Sequence, residues 1–320
     1  MPLVCLLVIG FVAGIMAGSS DISPLRFVQT LLGYGQSDPI AHAILLKLRL
    51  PRTLLAALAG GALSLSGLVF QAVLRNPLAD PYILGVSGGA ALGGISGMLL
   101  GLPVFWGAGP LAFTGALAAF GASVALSRKQ GSISSSSLIL SGVMVNTFCS
   151  AIILFFIAIA QDHTLRTTLL WLMGDTSAAD LDSAYSLGFW VLPVAVIPIL
   201  LSHKMNLLLL GREAARNLGV RIRLVTGLLL FSSVVMTSAV VSQTGLLGFV
   251  GLVCPHIMRL IVGYDHRVLV PGAVLFGATF LVFCDVGARL LSQQGVMPVG
   301  VLTSLVGAPA FFYLLRRSGP

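Results

Sequence analysis

The sequence predicts an all-α integral membrane protein with about ten transmembrane helices. Three observations lead there. Hydrophobic residues make up 57% of the chain and charged residues 9%, with a mean hydropathy of +1.02; a soluble domain carries about 25% charged residues. The apolar residues fall into long runs, among them Leu54 to Val73 without a single charge, and about 20 such residues cross the roughly 30 Å hydrocarbon core. The 37 glycines suit helices that approach closely in lipid, where packing replaces the hydrophobic effect. One transmembrane domain covering 1–320 follows, with no soluble domain.

Taken in order, the spans fall at roughly 3–19, 53–73, 82–100, 104–126, 137–160, 184–202, 223–242, 246–262, 268–290 and 297–315. The first has no basic flank, so it reads as a span rather than a signal peptide. Between the second and third, Asn76-Pro77 and Asp80-Pro81 stop the helix, because each proline lacks an N–H and pushes its predecessor out of the α region. A short, stiff turn is expected there. The eighth span is short and contains Pro255. A faint internal repeat pairs SGLVFQAVLRNP with TGLLGFVGLVCP, as in transporters built from two related halves.

Lysine and arginine number 18 against 10 acids. With the N-terminus placed inside, the basic residues favour inward parts two to one, as the positive-inside rule requires, and both termini are cytoplasmic. The excess of base therefore reports topology, and no nucleic-acid partner is expected. Cys5, Cys149, Cys254 and Cys284 stand singly, so neither a disulfide framework nor a bound metal is indicated.

The largest inward loop, Ser202–Arg223, reads as a short helix over 206–219. Asn206 caps its start, Gly219 ends it in the left-handed region, and Glu213 and Arg216 lie at i,i+3. Its apolar residues fit either an interfacial helix on lipid or a helix docked in a protein groove. No G-x-x-x-x-G-K-[ST] word occurs, so the chain itself has no phosphate-cradling loop. Few ionisable groups fall within spans: Asp285, Arg289, Arg259 and His256. Asp285 and Arg289 are i,i+4 and can satisfy one another. On span five, Gly142, Asn146 and Ser150 share a face, as do Ser141, Val145 and Cys149; such residues glue helices or line a pathway. His163, in an outer loop, reads as solvated. A rival reading takes Gly85-Val86-Ser87-Gly88 with His256 as the nucleophile and base of an intramembrane serine protease.

The words LRLPRTL (48–54), QAVLRNPLADPYILGVSGGA (71–90), GFVGLVCPHIMRLIVGYDHRVLVPG (248–272) and GVLTSLVGAPAFFYLL (300–315) resemble the FecCD-type permeases, which import ferric chelates, haem or vitamin B12. The resemblance covers nearly the whole chain. It implies the type II ABC importer permease fold, and a subunit that is not itself an enzyme and binds no cofactor. Two cytoplasmic ATPases carry ATP and Mg²⁺, and a second permease copy, a substrate-binding protein and the bacterial inner membrane complete the setting. It assigns binding-protein docking to Arg49, Arg52 and Arg289, whose planar forks suit carboxylates; as an alternative, arginines snorkel at helix ends. ATPase coupling falls on Gly211, Glu213, Ala214, Ala215, Arg216 and Gly219. Asn76, Leu78, Ser134 and Ser135 form a cytoplasmic gate, and Asn146 and Ser150 line the pathway. Ferric siderophore is the favoured cargo, with haem or cobalamin as alternatives.

Overall fold

The computed structural model describes residues 2–17, 39–103, 107–129, 132–133, 135–159, 162–292 and 297–317. Each of the ten apolar runs is a helix. Helix α1 is Pro2–Met16. A short α2 (Pro39–Ala43) runs through a π-helical stretch, Ile44–Arg49, straight into α3 (Leu50–Leu74). Helices α4 (Val86–Leu99), α5 (Gly109–Ser127) and α6 (Ser135–Ile159) follow. Then come α7 (Asp162–Leu172), α8 (Leu181–Leu200), α9 (Ser202–Leu209) and α10 (Arg212–Asn217). The chain closes with α11 (Ile222–Thr244), α12 (Val250–Val262), α13 (His266–Leu291) and α14 (Val299–Arg317). Six helices among the described residues are long and apolar enough to cross a membrane; α1, α4, α12 and α14 are shorter apolar helices.

Helix α3 is the axis. Its sequence is apolar on every side, which suits a helix surrounded by protein, and it packs against α1, α8, α11, α12 and α13. One core gathers α3, α8, α11, α12 and α13 around Leu63, Leu229, Met236 and Leu281. A second gathers α4 and α5 with Phe70 of α3 and Val234 of α11. Helices α3 and α11 belong to both cores and tie the halves together. Backbones meet where side chains are missing: Gly60 against Gly277, Gly67 against Gly251, and Gly89 against Gly115. This is the small-residue packing that lipid favours.

Several boundaries differ from the sequence expectation. Helix α4 starts at Val86, because the chain first caps α3, with the Arg75 and Asn76 N–H groups donating to Gln71 O, and then turns over residues 76–85. Arg75 turns the chain in the left-handed region at φ 50°. Asn76 Oδ1 then accepts from Leu78 N at 2.9 Å, and Asp80 Oδ1 accepts from Tyr82 N at 2.8 Å. Two side-chain turns in succession give the stiff connection that the prolines predict. Pro81 lies against Gly251, which also touches Leu63 of α3.

Helix α7 was not anticipated. It seats Trp171 on Gly94 of α4 and brings Gly174 against Leu246. The two repeat-like words also fold differently. The first lies in α3 and its turn, whereas the second forms the loop before α12 and that helix's first half.

The inward loop is two helices, not one over 206–219. Gly211 has φ 107° and ψ 160°, a conformation open essentially to glycine alone, and it breaks the helix between α9 and α10. Gly219, at φ 82°, ends the segment as expected. Asn206 lies inside α9 and caps a different helix. Its Oδ1 accepts from His266 N at 2.9 Å and its Nδ2 donates to Asp265 Oδ1 at 2.7 Å, at the start of α13. The Arg267 N–H and then this amide hold the exposed Asp265 carboxyl below the usual carboxylate range. A depressed carboxylate adds stability that is present above its unfolded value and lost as pH falls through the folded one. Asn206→Ala is therefore expected to lower the thermal midpoint near neutrality, because His266 N loses its acceptor and Asp265 one of its donors. That loss should shrink below about pH 4 as Asp265 protonates, read as thermal midpoints of wild type and variant across pH.

Candidate functional site

The start of α3 and the end of α13 meet at one buried carboxylate. Asp285 is 0% exposed. It accepts from Arg52 Nε at 2.7 Å on Oδ1 and from Arg289 Nη2 at 2.7 Å on Oδ2. Thr176 Oγ1, just after α7, donates to Oδ1 at 2.6 Å. Arg289 Nη1 also donates to Gly14 O at 2.7 Å, and Arg49 Nη1 to Met16 O at 2.7 Å. Both thus cap the carbonyl end of α1, where cations are favoured by the helix dipole. The Arg52 and Arg289 side chains are 14% and 10% exposed and Arg49 is 5% exposed. The three arginines of the docking expectation are brought together, and each is held by the fold. The i,i+4 pair of Asp285 and Arg289 forms as its spacing allows, and Arg52 completes it from 233 residues away.

At the far end of α3, the α9–α10 segment is anchored by Met205, Leu208, Ala215 and Val220, all buried. Around buried Ala215, the side chains of Glu213 and Arg216 are exposed and Ala214 is half-buried. Glu213 and Arg216 do not pair with one another. Gly211 sits beside the Arg75 side chain, so this surface segment touches the turn that follows α3.

In that turn Asn76 is half-buried and Leu78 exposed. Ser135 starts α6, and Ser134 lies outside the described residues. Before α6, the pairs Arg128–Lys129 and Ser132–Ile133 form a small antiparallel ladder. Asn146 acts as glue. Its Oδ1 accepts from Gly88 N at 2.8 Å and its Nδ2 donates to Tyr82 O at 3.2 Å. It thereby supplies the start of α4 with the cap that Gly85 cannot give. Ser150 is exposed, and on another face of α6 so are Met144, Phe148 and Phe155.

The protease pairing does not form. The Ser87 hydroxyl lies 3.3 Å from Asn146 Oδ1, and neither His256 ring nitrogen has a hydrogen-bond partner. His256 stands edge-on to Phe311 instead. A nucleophile needs its base within hydrogen-bond reach.

Helices long and apolar enough to cross a membrane, packed around a central one and pinned at one end by a buried ion cluster, are those of a multi-pass membrane protein. The chain belongs to the FecCD transport family, whose profile matches residues 6–317. It is 42% identical to the cobalamin import system permease protein BtuC of Halobacterium salinarum, over 86% of this chain and 74% of that one. It is 39% identical to the hemin transport system permease protein HmuU of Yersinia pestis, over 94% and 91%. Among solved structures, a metal-chelate-type ABC transporter in an inward-facing conformation superposes with a TM-score of 0.89. That match has 31% identity and covers 99% of this chain and 98% of the other. PsaBC from Streptococcus pneumoniae, at 16% identity and a TM-score of 0.56, shares the fold.

Proposed function

We propose that this chain is the membrane-spanning subunit of an ATP-driven importer for a large metal chelate, ferric siderophore first, with haem or cobalamin as alternatives. Two copies would enclose a pathway in the bacterial inner membrane, with both termini cytoplasmic. A binding protein would deliver cargo on the outer side, and two ATPases carrying ATP and Mg²⁺ would sit on the inner side. The observation that carries this reading is the α9–α10 segment, exposed at Glu213 and Arg216 yet touching the turn after α3 through Gly211 and Arg75. A partner that moved this segment would move the turn, and a bistable packing can amplify such a shift. Asn76, Leu78, Ser134 and Ser135 are the residues proposed to close the inner side, with Ser150 on the pathway wall. Asn146 supports that wall by holding α4. Two guanidiniums share one carboxylate and a third, Arg49, stands beside them at the end of α1, an excess of positive charge that supports docking of an acidic surface at Arg49, Arg52 and Arg289.

The test is reconstitution with the partner ATPase and binding protein. Glu213→Ala with Arg216→Ala changes two exposed side chains, so stability should stay within about 0.5 kcal/mol. ATP-driven uptake should fall at least about tenfold, which corresponds to about 1.4 kcal/mol of lost coupling. Accumulation of chelate against a gradient by this chain alone, without an ATPase, would sink the proposal.

A further inference from the structure

A cavity of about 1290 Å³ opens between the end of α3, α5, the start of α6 and the start of α11. It is larger than the roughly 300–1,000 Å³ of small-molecule pockets. Its chemistry is divided along its length. The basic part is Arg212, Arg216, Arg221 and Arg223, all exposed; the apolar wall is Leu74, Phe120, Val124, Leu138, Leu230 and Phe231. From Arg223 to Phe231 is about 12 Å along a helix at 1.5 Å per residue, so the charged rim sits above a long apolar trough. Leu224 and Phe231 are each 55% exposed and open that trough sideways. The basic rim also has the wrong sign for its own helix. Arg221 and Arg223 crowd the N-terminus of α11, whose first turn contains no acid, although the dipole there favours negative charge. Between Ser202 and Arg223 the sequence has a single acid, Glu213, and it does not line the cavity.

We propose that this groove binds a phospholipid with an anionic headgroup from the leaflet on the basic side of the membrane. The headgroup phosphate sits on Arg221 and Arg223 at the start of α11, and an acyl chain lies along Leu138, Leu230 and Phe231. Basic pockets between transmembrane helices on the cytoplasmic side recognise such headgroups. One bound anion would relieve both the mutual repulsion of the arginines and their conflict with the helix dipole. A zwitterionic lipid carries the same phosphate together with its own cation, so it relieves both less.

The test uses the full-length purified chain in detergent and native mass spectrometry, titrated with phosphatidylglycerol or phosphatidylcholine of identical acyl chains. Phosphatidylglycerol should bind at least tenfold more tightly. Arg221→Gln with Arg223→Gln should bring the two lipids within twofold, whereas Arg221→Lys with Arg223→Lys should keep the preference. Gly227 faces open space beside the groove; Gly227→Trp should fill it and weaken both lipids with the arginines untouched. Equal binding of the two lipids by wild type overturns the proposal. So does displacement of phosphatidylglycerol by soluble glycerol phosphate, which would make the site one for free phosphate. Displacement by an equimolar ATPase partner would assign the groove to that subunit instead.

Discussion

Asp285→Ala is expected to destabilise the protein by about 3–5 kcal/mol, the cost of removing one member of a buried charge cluster. The loss comes less from the missing bonds than from what remains. Arg52 and Arg289 would each keep a guanidinium that is at least 86% withdrawn from solvent with no carboxylate to face, and Thr176 would lose its acceptor. Asp285→Asn keeps the shape and one acceptor but not the charge, so its cost should fall between. The informative partner is the triple variant Arg52→Met, Asp285→Leu, Arg289→Met. A buried ion cluster replaced as a whole by apolar side chains is often neutral or stabilising, so most of the stability should return. Unfolding of the purified chain gives the energies. Binding-protein pull-down on the same samples separates the two roles of these arginines. If the stable triple variant no longer captures the binding protein, the arginines dock it; if capture survives, they only pin α1, α3 and α13 together.

That cluster also shows how much the sequence could reveal. The spacing of Asp285 and Arg289 marks them as a pair, because i,i+4 neighbours share a helix face. Nothing local links Arg52 to them, since that contact depends on how α3 crosses α13. The ten helices were legible because an apolar run long enough to span a bilayer has few other uses. The turn after α3 was legible because two prolines leave few alternatives. Helix α7 was hidden. Its residues are polar enough for an outer loop, and only the seat of Trp171 on Gly94 explains why it is a packed helix. Asn206 illustrates the limit on capping rules. Its type was right for a cap, but the helix it caps begins 60 residues later. In a chain apolar on nearly every face, periodicity no longer says which side is buried, so the exposed α6 surface and the groove beside α11 could not be read from pattern.

Gly67→Ala is expected to be as damaging as any single methyl group in this protein. A Cβ at Gly67 would fall far inside the 3.0 Å that such atoms respect, against the carbonyl oxygen of Gly251. Both sides of the clash are backbone, so no side chain can rotate away, and α12 must move off α3 by about 1 Å or more to restore van der Waals separation. Overpacking of this kind costs about 1–3 kcal/mol or more. The displacement has a second consequence. Gly251 also receives the ring of Pro81, so pushing α12 outward removes the seat of the turn that carries Asn76 and Leu78. Transport should therefore fall further than stability alone explains. Gly121→Ala is the matched control: Gly121 is helical with open space around it. There the methyl meets nothing, and the helix gains up to about 1 kcal/mol from the lost flexibility of glycine. The two variants differ by one methyl group each from the same parent, so opposite shifts in thermal midpoint would isolate the α3–α12 crossing as the cause. A Gly67→Ala protein with wild-type stability and uptake would mean that the two helices do not meet at backbone distance.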